Sequence, residues 1–341
     1  MIAPDAPLDA YTPPEMSPWE GRVDAHQPRA ALRWHQVVAP LDLDDAGACS
    51  PADTRGFALI GYRCDDGIAR NLGRPGAVGG PASIRQRLAN LPVGFSERVA
   101  LLDAGDITVV DGPVERAQAA LAAAVARIRA AGLFPMVLGG GHDLAYGHFL
   151  GAIAGRPGDE RLGVLNFDAH LDLRPAEESA NSGTSFWQVA RECARTGRPF
   201  DYLCIGVQRS ANTVALFTRA RELGAQIVLA GDIAEHRLDE VRAVIDRFAA
   251  RTGRLIVTLD ADVMSSAFCP GVSSAQPLGL DPEIVVRLLK HVLARGEVVG
   301  FDVAEVSPRF DFDDNTAKVA AIMVYAVVEM LIPDGERILS G

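Results

Sequence analysis

The chain has 341 residues and a formal net charge of −11, with 48% of its residues hydrophobic and 23% charged. That length allows about two domains of ~150 residues or one large α/β unit, and the composition supplies ample core material. An acidic balance with no Lys/Arg cluster excludes nucleic acid as a partner, because nothing would offset phosphate repulsion.

The N-terminus, MIAPDAPLDAYTPPEMSPW, has neither a basic start nor an apolar core segment, so it does not read as a signal peptide. Residues 1–55 are rich in Pro and Asp and are expected to form an irregular arm packed on a single domain spanning 56–341. Trp19 and Trp34, in WEGRVD and RWHQ, read as pins of that arm rather than as parts of a site. Phe57–Tyr62 is the first predicted strand. The Gly/Pro segment 70–81 is too long for a simple turn, and such loops in compact domains are usually functional. A helix is predicted from Pro81, then short strands over Ala100–Asp103 and Ile107–Val110. An Ala-rich helix follows from Pro113 to Ala131, with Gly132 as its cap.

Phe134–Leu138 predicts a buried strand running into Gly139-Gly-Gly-His142-Asp143. These glycines lack the Gly-Lys-Ser/Thr ending of a phosphate loop and read as a tight turn that brings His142 close to a bulky neighbour. Val164, Leu165 and Phe167 predict a second buried strand, after which the chain becomes Asp168-Ala-His170-Leu-Asp172. Alternate side chains of extended backbone share a face, so these three groups lie together, a costly burial without counter-charge or metal. Segment 175–188 is expected to be a loop. Tyr202–Val207 predicts a strand leading into Gln208-Arg209-Ser-Ala-Asn212, followed by a helix to Leu223 and a short strand over Ile227–Ala230. The helix Asp239–Ala250 carries Val241, Val244, Ile245 and Phe248 at helical spacing.

Leu255–Leu259 again ends in acids, Asp260-Ala-Asp262. After a loop over 263–279 and a helix over Pro282–Ala294, Val298–Val303 ends at Glu305-Val-Ser-Pro308. Thr316–Leu331 predicts a buried helix. Its apolar run, 319–333, is too short to cross a bilayer and contains Glu329. Arg337–Leu339 predicts a last short strand. Strands alternating with helices predict a three-layer α/β/α fold with a central, mostly parallel sheet and no linker after residue 55. The five cysteines, Cys49, Cys64, Cys193, Cys204 and Cys269, are scattered, which fits free thiols in a reducing compartment and a cytoplasmic protein.

Open α/β sheets place their sites beyond the carboxyl ends of strands, so one crevice can gather His142, Asp168, His170, Asp172, Asp260, Asp262 and Glu305. Two His and four Asp suit a pair of divalent ions, and such carboxylate-rich ligation favours manganese over zinc. Two ions sharing a water would lower its pKa and provide hydroxide at neutral pH.

In order and spacing, Gly139-Gly-Gly-His142, Asp168-Ala-His-Leu-Asp172, Asp260-Ala-Asp262 and Glu305-Val-Ser-Pro308 resemble the motif set of the ureohydrolase (arginase/agmatinase) superfamily across residues 56–335. The resemblance implies an arginase/deacetylase-like fold. It also implies two Mn2+ per subunit held by His142, Asp168, His170, Asp172, Asp260 and Asp262, with Glu305 pairing the cationic group of the substrate. Arginases and agmatinases usually carry His-Gly in the loop after the central motif, where this chain has Ser182-Gly183-Thr184. That Ser-Gly-Thr-x-Phe loop is similar to the formimidoylglutamases of histidine degradation. So are Trp19-x-Gly-Arg-x-Asp24, Arg33-Trp-His-Gln36, Arg70-Asn-x-Gly-Arg74 and Pro270-Gly-Val-Ser273. Asp143, where formimidoylglutamases often have Glu, and Ser265, near a third Asp of many ureohydrolases, depart from the pattern outside the implied ligands.

The implied reaction is hydrolysis of N-formimidoyl-L-glutamate to L-glutamate and formamide by a metal-bridging hydroxide, with Asp172, Glu305 and His170 as catalytic residues. Glu305 would hold the amidine nitrogens, and Asp172 would carry a proton to the leaving amine. Ser182 cannot titrate near neutrality and, with Gly183, is left to contact the substrate. A substrate with two carboxylates entering an acidic protein needs rim arginines. Arg209 with Asn212, then Arg74, then Arg174 are the candidates. The alternatives are a guanidinobutyrase- or agmatinase-like enzyme releasing urea, a non-catalytic metal-binding homologue, and a zinc deacetylase on a related scaffold. Superfamily relatives are commonly trimers or hexamers, so a homo-oligomer is expected.

Overall fold

The computed structural model describes residues 8–24, 28–45, 56–158, 160–176 and 179–338. One sheet contains β1 (Tyr11–Thr12), β2 (Ala39–Pro40), β3 (Gly56–Arg63), β4 (Ala100–Thr108), β5 (Phe134–Gly139), β6 (Gly163–Phe167), β7 (Tyr202–Val207), β8 (Gln226–Leu229), β9 (Arg254–Asp260) and β10 (Glu297–Ala304). Their order in space is β1-β4-β3-β5-β10-β9-β6-β7-β8, with β2 also pairing β4. Every pairing is parallel except β1 on β4. The helices are α1 (Asp66–Arg70), α2 (Gly80–Leu88), α3 (Val114–Ala130), α4 (Leu144–Ile153), α5 (Ser185–Thr196), α6 (Val214–Glu222), α7 (Leu238–Thr252), α8 (Pro282–Arg295) and α9 (Asn315–Leu331).

Period-2 alternation along β3 explains the three layers. Phe57 and Leu59 face one hydrophobic core, shared with Ile84 of α2, Ile245 and Phe248 of α7, Leu288 of α8 and Val324 of α9. Ala58, Ile60 and Tyr62 face the other, shared with Leu121 of α3, Phe149 of α4, Phe186 of α5 and Leu216 of α6. A parallel sheet buried on both faces reads as near-continuous apolar runs, which is why its strands were visible in the sequence.

Three expectations change. Ala100–Asp103 and Ile107–Thr108 lie in one strand, β4, interrupted by a bulge in which Leu59 and Gly61 of β3 oppose Asp103 and Asp106, and Val109 and Val110 fall beyond its end. Gly105, in the bulge, has φ +77°, and a Cβ there would lie 2.2 Å from the Thr12 carbonyl oxygen of β1. Residues 175–188 are not all loop. Asn181 Oδ1 accepts from the Gly183 N–H and opens a turn into α5, whose Phe186, Val189, Ala190 and Cys193 are buried at helical spacing. Arg337 makes only an isolated bridge to Phe95. Leu339, Cys49 and the first seven residues lie outside the described residues. The other four cysteines are buried free thiols. No helix among the described residues is long and apolar enough to cross a membrane.

The polar interior of β4 is bound to α2 by Arg85. Arg85 of α2 is buried and donates from Nε to Asp103 Oδ2 (2.8 Å), from one terminal nitrogen to Asp103 Oδ1 (2.9 Å) and from the other to Asp106 Oδ1 (2.7 Å). Trp19 Nε1 donates to the same Asp103 carboxylate at 2.6 Å, and Trp34 is buried with its ring 5.7 Å from that of Tyr325. Replacing Arg85 with Ala strands a buried carboxylate and is expected to lower unfolding free energy by about 3–5 kcal/mol. Trp19→Phe, which removes one donor, should lower it by about 1 kcal/mol, and urea titration of the two variants beside wild type checks both values.

Candidate metal centre

Four neighbouring strands, in the order β5, β10, β9 and β6, end along one edge of the sheet, and each leads into one part of the predicted constellation. His142 follows β5, Glu305 follows β10, Asp260 and Asp262 close β9, and Asp168, His170 and Asp172 follow β6. Beyond β5 the chain hugs the end of β3. Gly140 N donates to the Tyr62 carbonyl at 3.0 Å, and Gly141 N to that of Cys64 at 2.9 Å. A Cβ at position 140 would sit 2.3 Å from the Cys64 carbonyl oxygen, so only glycine passes there. The turn delivers His142 into the interior, where its N–H donates to Glu305 Oε1 at 3.1 Å.

His142 Nδ1 lies 3.1 Å from Asp168 Oδ2, 3.0 Å from Asp172 Oδ2 and 3.3 Å from Asp260 Oδ2. It is buried, yet makes no hydrogen bond of good geometry to any of them. His170 Nδ1 lies 3.0 Å from Asp262 Oδ2 and 3.6 Å from Asp168 Oδ1. Two triads result, His142–Asp168–Asp260 and Asp168–His170–Asp262, with the donor atoms of each within 4.8 Å of one another. Asp168 belongs to both. An orphaned imidazole nitrogen and a carboxylate shared by two N/O triads form a donor set that fits two adjacent divalent cations.

Charge balance points the same way. Five carboxyl groups, those of Asp168, Asp172, Asp260, Asp262 and Glu305, surround two imidazoles. Burial, reinforced by neighbouring carboxylates, raises Asp172, and pushes Asp260 and Glu305 well above the usual carboxylate range. Burial also lifts Asp262, against the pull of His170, to about 6. Burial works to raise Asp168 too, but the two imidazoles beside it, His142 and His170, override it and hold that group low. Burial opposes charge on both histidines, and their Asp neighbours outweigh it and raise them. With no cation the cluster therefore retains protons that a cation would displace. Asp172 and Glu305 also adopt left-handed backbone, with φ of 47° and 65°. That conformation is uncommon for residues other than Gly, Asn and Asp and is concentrated at functional sites.

Above the cluster opens a cavity of about 490 Å³ lined by His142, His170, Asp172, Asp260, Asp262 and Glu305, with Asn71, Arg74, Arg174, Ser182 and Asn212 among its walls. Asp168 lies beneath it, fully buried. The four predicted rim contacts fare differently. Arg209 is exposed on the turn after β7 and does not line the cavity. Asn212 lines it, but its amide is committed to the scaffold, donating to the Ala169 and Gln208 carbonyls (both 2.9 Å) and accepting from Leu171 N (3.0 Å). Arg74 is a staple: it donates to the Ser273 carbonyl (2.9 Å) and the Val272 carbonyl (2.8 Å) and stacks on Phe310. Arg174 is exposed on the wall, and its guanidinium has no partner among the described residues. Gly183 is buried behind Arg174, and its carbonyl accepts from Arg174 N at 2.9 Å.

The cavity also recruits residues the motif reading did not single out. Asn71 donates to Ser182 Oγ at 3.2 Å, and Ser274 Oγ lies 3.4 Å from His170 Nε2. The Arg70-Asn-x-Gly-Arg74 pattern and the Ser273-Ser274 pair at the end of Pro270–Ser273 were the available signals for them.

The sequence profile of the arginase family matches residues 55–329. The formimidoylglutamase of Clostridium tetani is 43% identical over 328 residues, covering 94% of this chain and 96% of that one. That of Chromobacterium violaceum is 44% identical over 313 residues, covering 92% and 97%. A crystal structure of Trypanosoma cruzi formiminoglutamase with Mn2+ has 28% sequence identity and a TM-score of 0.72, over 86% of this chain and 99% of that one. From its sequence profile, its relatives and its sheet, this chain belongs to the arginase family.

Proposed function

We propose that this chain hydrolyses N-formimidoyl-L-glutamate to L-glutamate and formamide, using two manganese ions held by His142, Asp168, Asp172, Asp260, Asp262 and His170. The observation that carries the reading is the pair of triads sharing Asp168 beneath a cavity whose wall includes the exposed Arg174, a guanidinium without a partner among the described residues. The formimidoylglutamase relatives supply the substrate. When bound, two divalent ions supply Lewis acidity and a water of lowered pKa.

The protein's own groups do the rest. Glu305, buried against the His142 N–H, presents its carboxylate to the amidinium nitrogens and turns the formimidoyl carbon toward the cluster. Asp172, raised by burial and by Asp168, accepts a proton on its carboxylate and returns it to the leaving α-amine of glutamate. His170 is the more exposed of the two imidazoles and faces the cavity beside Ser274. Arg174 takes a substrate carboxylate, Gly183 keeps the backbone behind it close, and Ser182 with Asn71 shapes the wall and can only hydrogen-bond. The active form is a cytoplasmic homo-oligomer in this reading, in keeping with the buried free thiols and with exposed apolar residues such as Leu72 and Leu278.

Product analysis on manganese-loaded protein tests the function: formamide and glutamate from N-formimidoyl-L-glutamate are expected. Urea from agmatine, arginine or 4-guanidinobutyrate would replace the substrate assignment. Glu305→Gln should retain both ions and lose about 10²–10³-fold in kcat. Arg174→Ala should raise KM roughly 10- to 100-fold with a smaller change in kcat, the loss of one charge-assisted contact, while Arg209→Ala leaves KM as it was.

Metal removal should be pH-dependent with a definite sign. Asp172, Asp260, Asp262 and Glu305 bind protons more tightly folded than unfolded, so the stability they contribute at acid pH is lost as pH rises through their folded values. His142 and His170, raised by carboxylates, act in the same direction. Asp168, which is lowered, contributes stability above its unfolded value, and that contribution stays constant across this range. The gain in Tm on adding Mn2+ to EDTA-treated protein should therefore be larger at about pH 8 than at about pH 5.5. Equal gains in calorimetry at the two pH values would refute the ligand set.

A further inference from the structure

A chain of buried polar groups leads away from His142 into the core and plays no part in the chemistry above. His142 Nε2 lies 2.9 Å from Thr258 Oγ1 in the interior of β9. The Thr258 hydroxyl donates to Asp302 Oδ1 on β10 at 2.5 Å, and Asp302 Oδ2 meets His148 Nδ1 of α4 at 2.6 Å. Thr258, Asp302 and His148 are all fully buried. The last ring nitrogen, His148 Nε2, has no hydrogen-bond partner among the described residues. It abuts Gly300, where a Cβ would lie only 2.3 Å away, with Pro135 close by. A glycine in the interior of a strand weakens it and marks a close approach, and here the approach is by His148.

We infer that Thr258, Asp302 and His148 are positioning residues that fix which nitrogen of His142 carries its proton. Resting on the metal reading above, this relay aims the bare Nδ1 of His142 at the cluster. The direction follows from donor counting. A carboxylate only accepts, so both oxygens of Asp302 are filled by the Thr258 O–H and the His148 Nδ1–H. The single hydroxyl proton of Thr258 is thereby spent, and its oxygen must accept from His142 Nε2–H. Nδ1, facing Asp168, Asp172 and Asp260, is left with the lone pair that a cation needs. Outer partners of this kind fix ligand orientation, and removing them typically weakens metal affinity about 10–100-fold. His148 serves as the far anchor. Its unpartnered Nε2 is accommodated only because residue 300 has no side chain.

The test uses near-isosteric variants of the full-length, EDTA-treated protein, titrated with Mn2+ by calorimetry, alongside 15N-histidine NMR. Thr258→Val and Asp302→Asn should weaken one of two Mn2+ sites about 10–100-fold and leave the other unchanged, and Thr258→Ser should restore wild-type binding. His148→Leu should share the loss. In the NMR spectrum, His142 Nε2–H should give a protected downfield proton in wild type and Thr258→Ser that disappears in Thr258→Val. Wild-type Mn2+ affinity at both sites in Thr258→Val, or a His142 Nε2 that carries no proton, would overturn the relay. Should wild-type protein bind no Mn2+, the metal reading fails. The relay is then decided by the NMR contrast between the Ser and Val variants.

Discussion

Too much negative charge is buried in one place. Five carboxyl groups and two imidazoles share the floor of the cavity, and Asp168 lies between the two imidazoles. In a medium that screens poorly, this arrangement persists only with protons or cations in its midst. Much of the surrounding structure serves to hold it. The left-handed turns at Asp172 and Glu305 aim carboxylates inward, the bond from Glu305 N to the Gly140 carbonyl locks one turn, and Asn212 ties down the backbone on either side of His170. Stability is given up here and recovered in the apolar layers on each side of the sheet.

Floor and rim are built differently. The floor hangs from four rigid strand ends, and its side chains are buried or nearly so. The rim is a set of loops fastened to one another: Asn71 to Ser182 on one side of the cavity, Arg74 to Val272 and Ser273 on the other. A rim stapled in this way is largely formed before any ligand arrives, so binding has little loop ordering to overcome. Arg174 stands apart as an exposed rim cation without a partner among the described residues. Division of labour follows: the floor sets the reaction type, and the rim sets which molecule is turned over.

Legibility in the sequence tracked locality. The Asp-x-His-x-Asp and Asp-x-Asp segments stood out because period-2 spacing is a local property, and apolar runs before them marked the strands. Interiors with charge were harder. Asp103 and Asp106 made β4 look like two pieces because their partner, Arg85, comes from another element. The start of α5 was hidden behind a polar, small-residue stretch that is its capping turn. Rim residues were least legible of all. Nothing in Gln208–Asn212 tells that Arg209 points away while Asn212 is spent on three backbone groups. Thr258, Asp302 and His148 were invisible for a related reason, since each sits singly within an apolar run and acquires meaning only when three elements pack together.

The order of the strands has a consequence for how such a protein comes into being. Strands β4, β3 and β5 form one half of the sheet and β6, β7 and β8 the other, and the two halves do not pair with each other. They are joined through β9 and β10, which come after all the others in chain order among the described residues and slot between β5 and β6. A nascent chain thus presents two unsatisfied inner edges until β9 and β10 emerge, a topology of high contact order that is slow to close and prone to wrong pairing. The keystone strands also carry Asp260, Asp262 and Glu305 or lead into them, so a half-made chain cannot assemble the cluster. The sheet and the centre are closed by the same two strands.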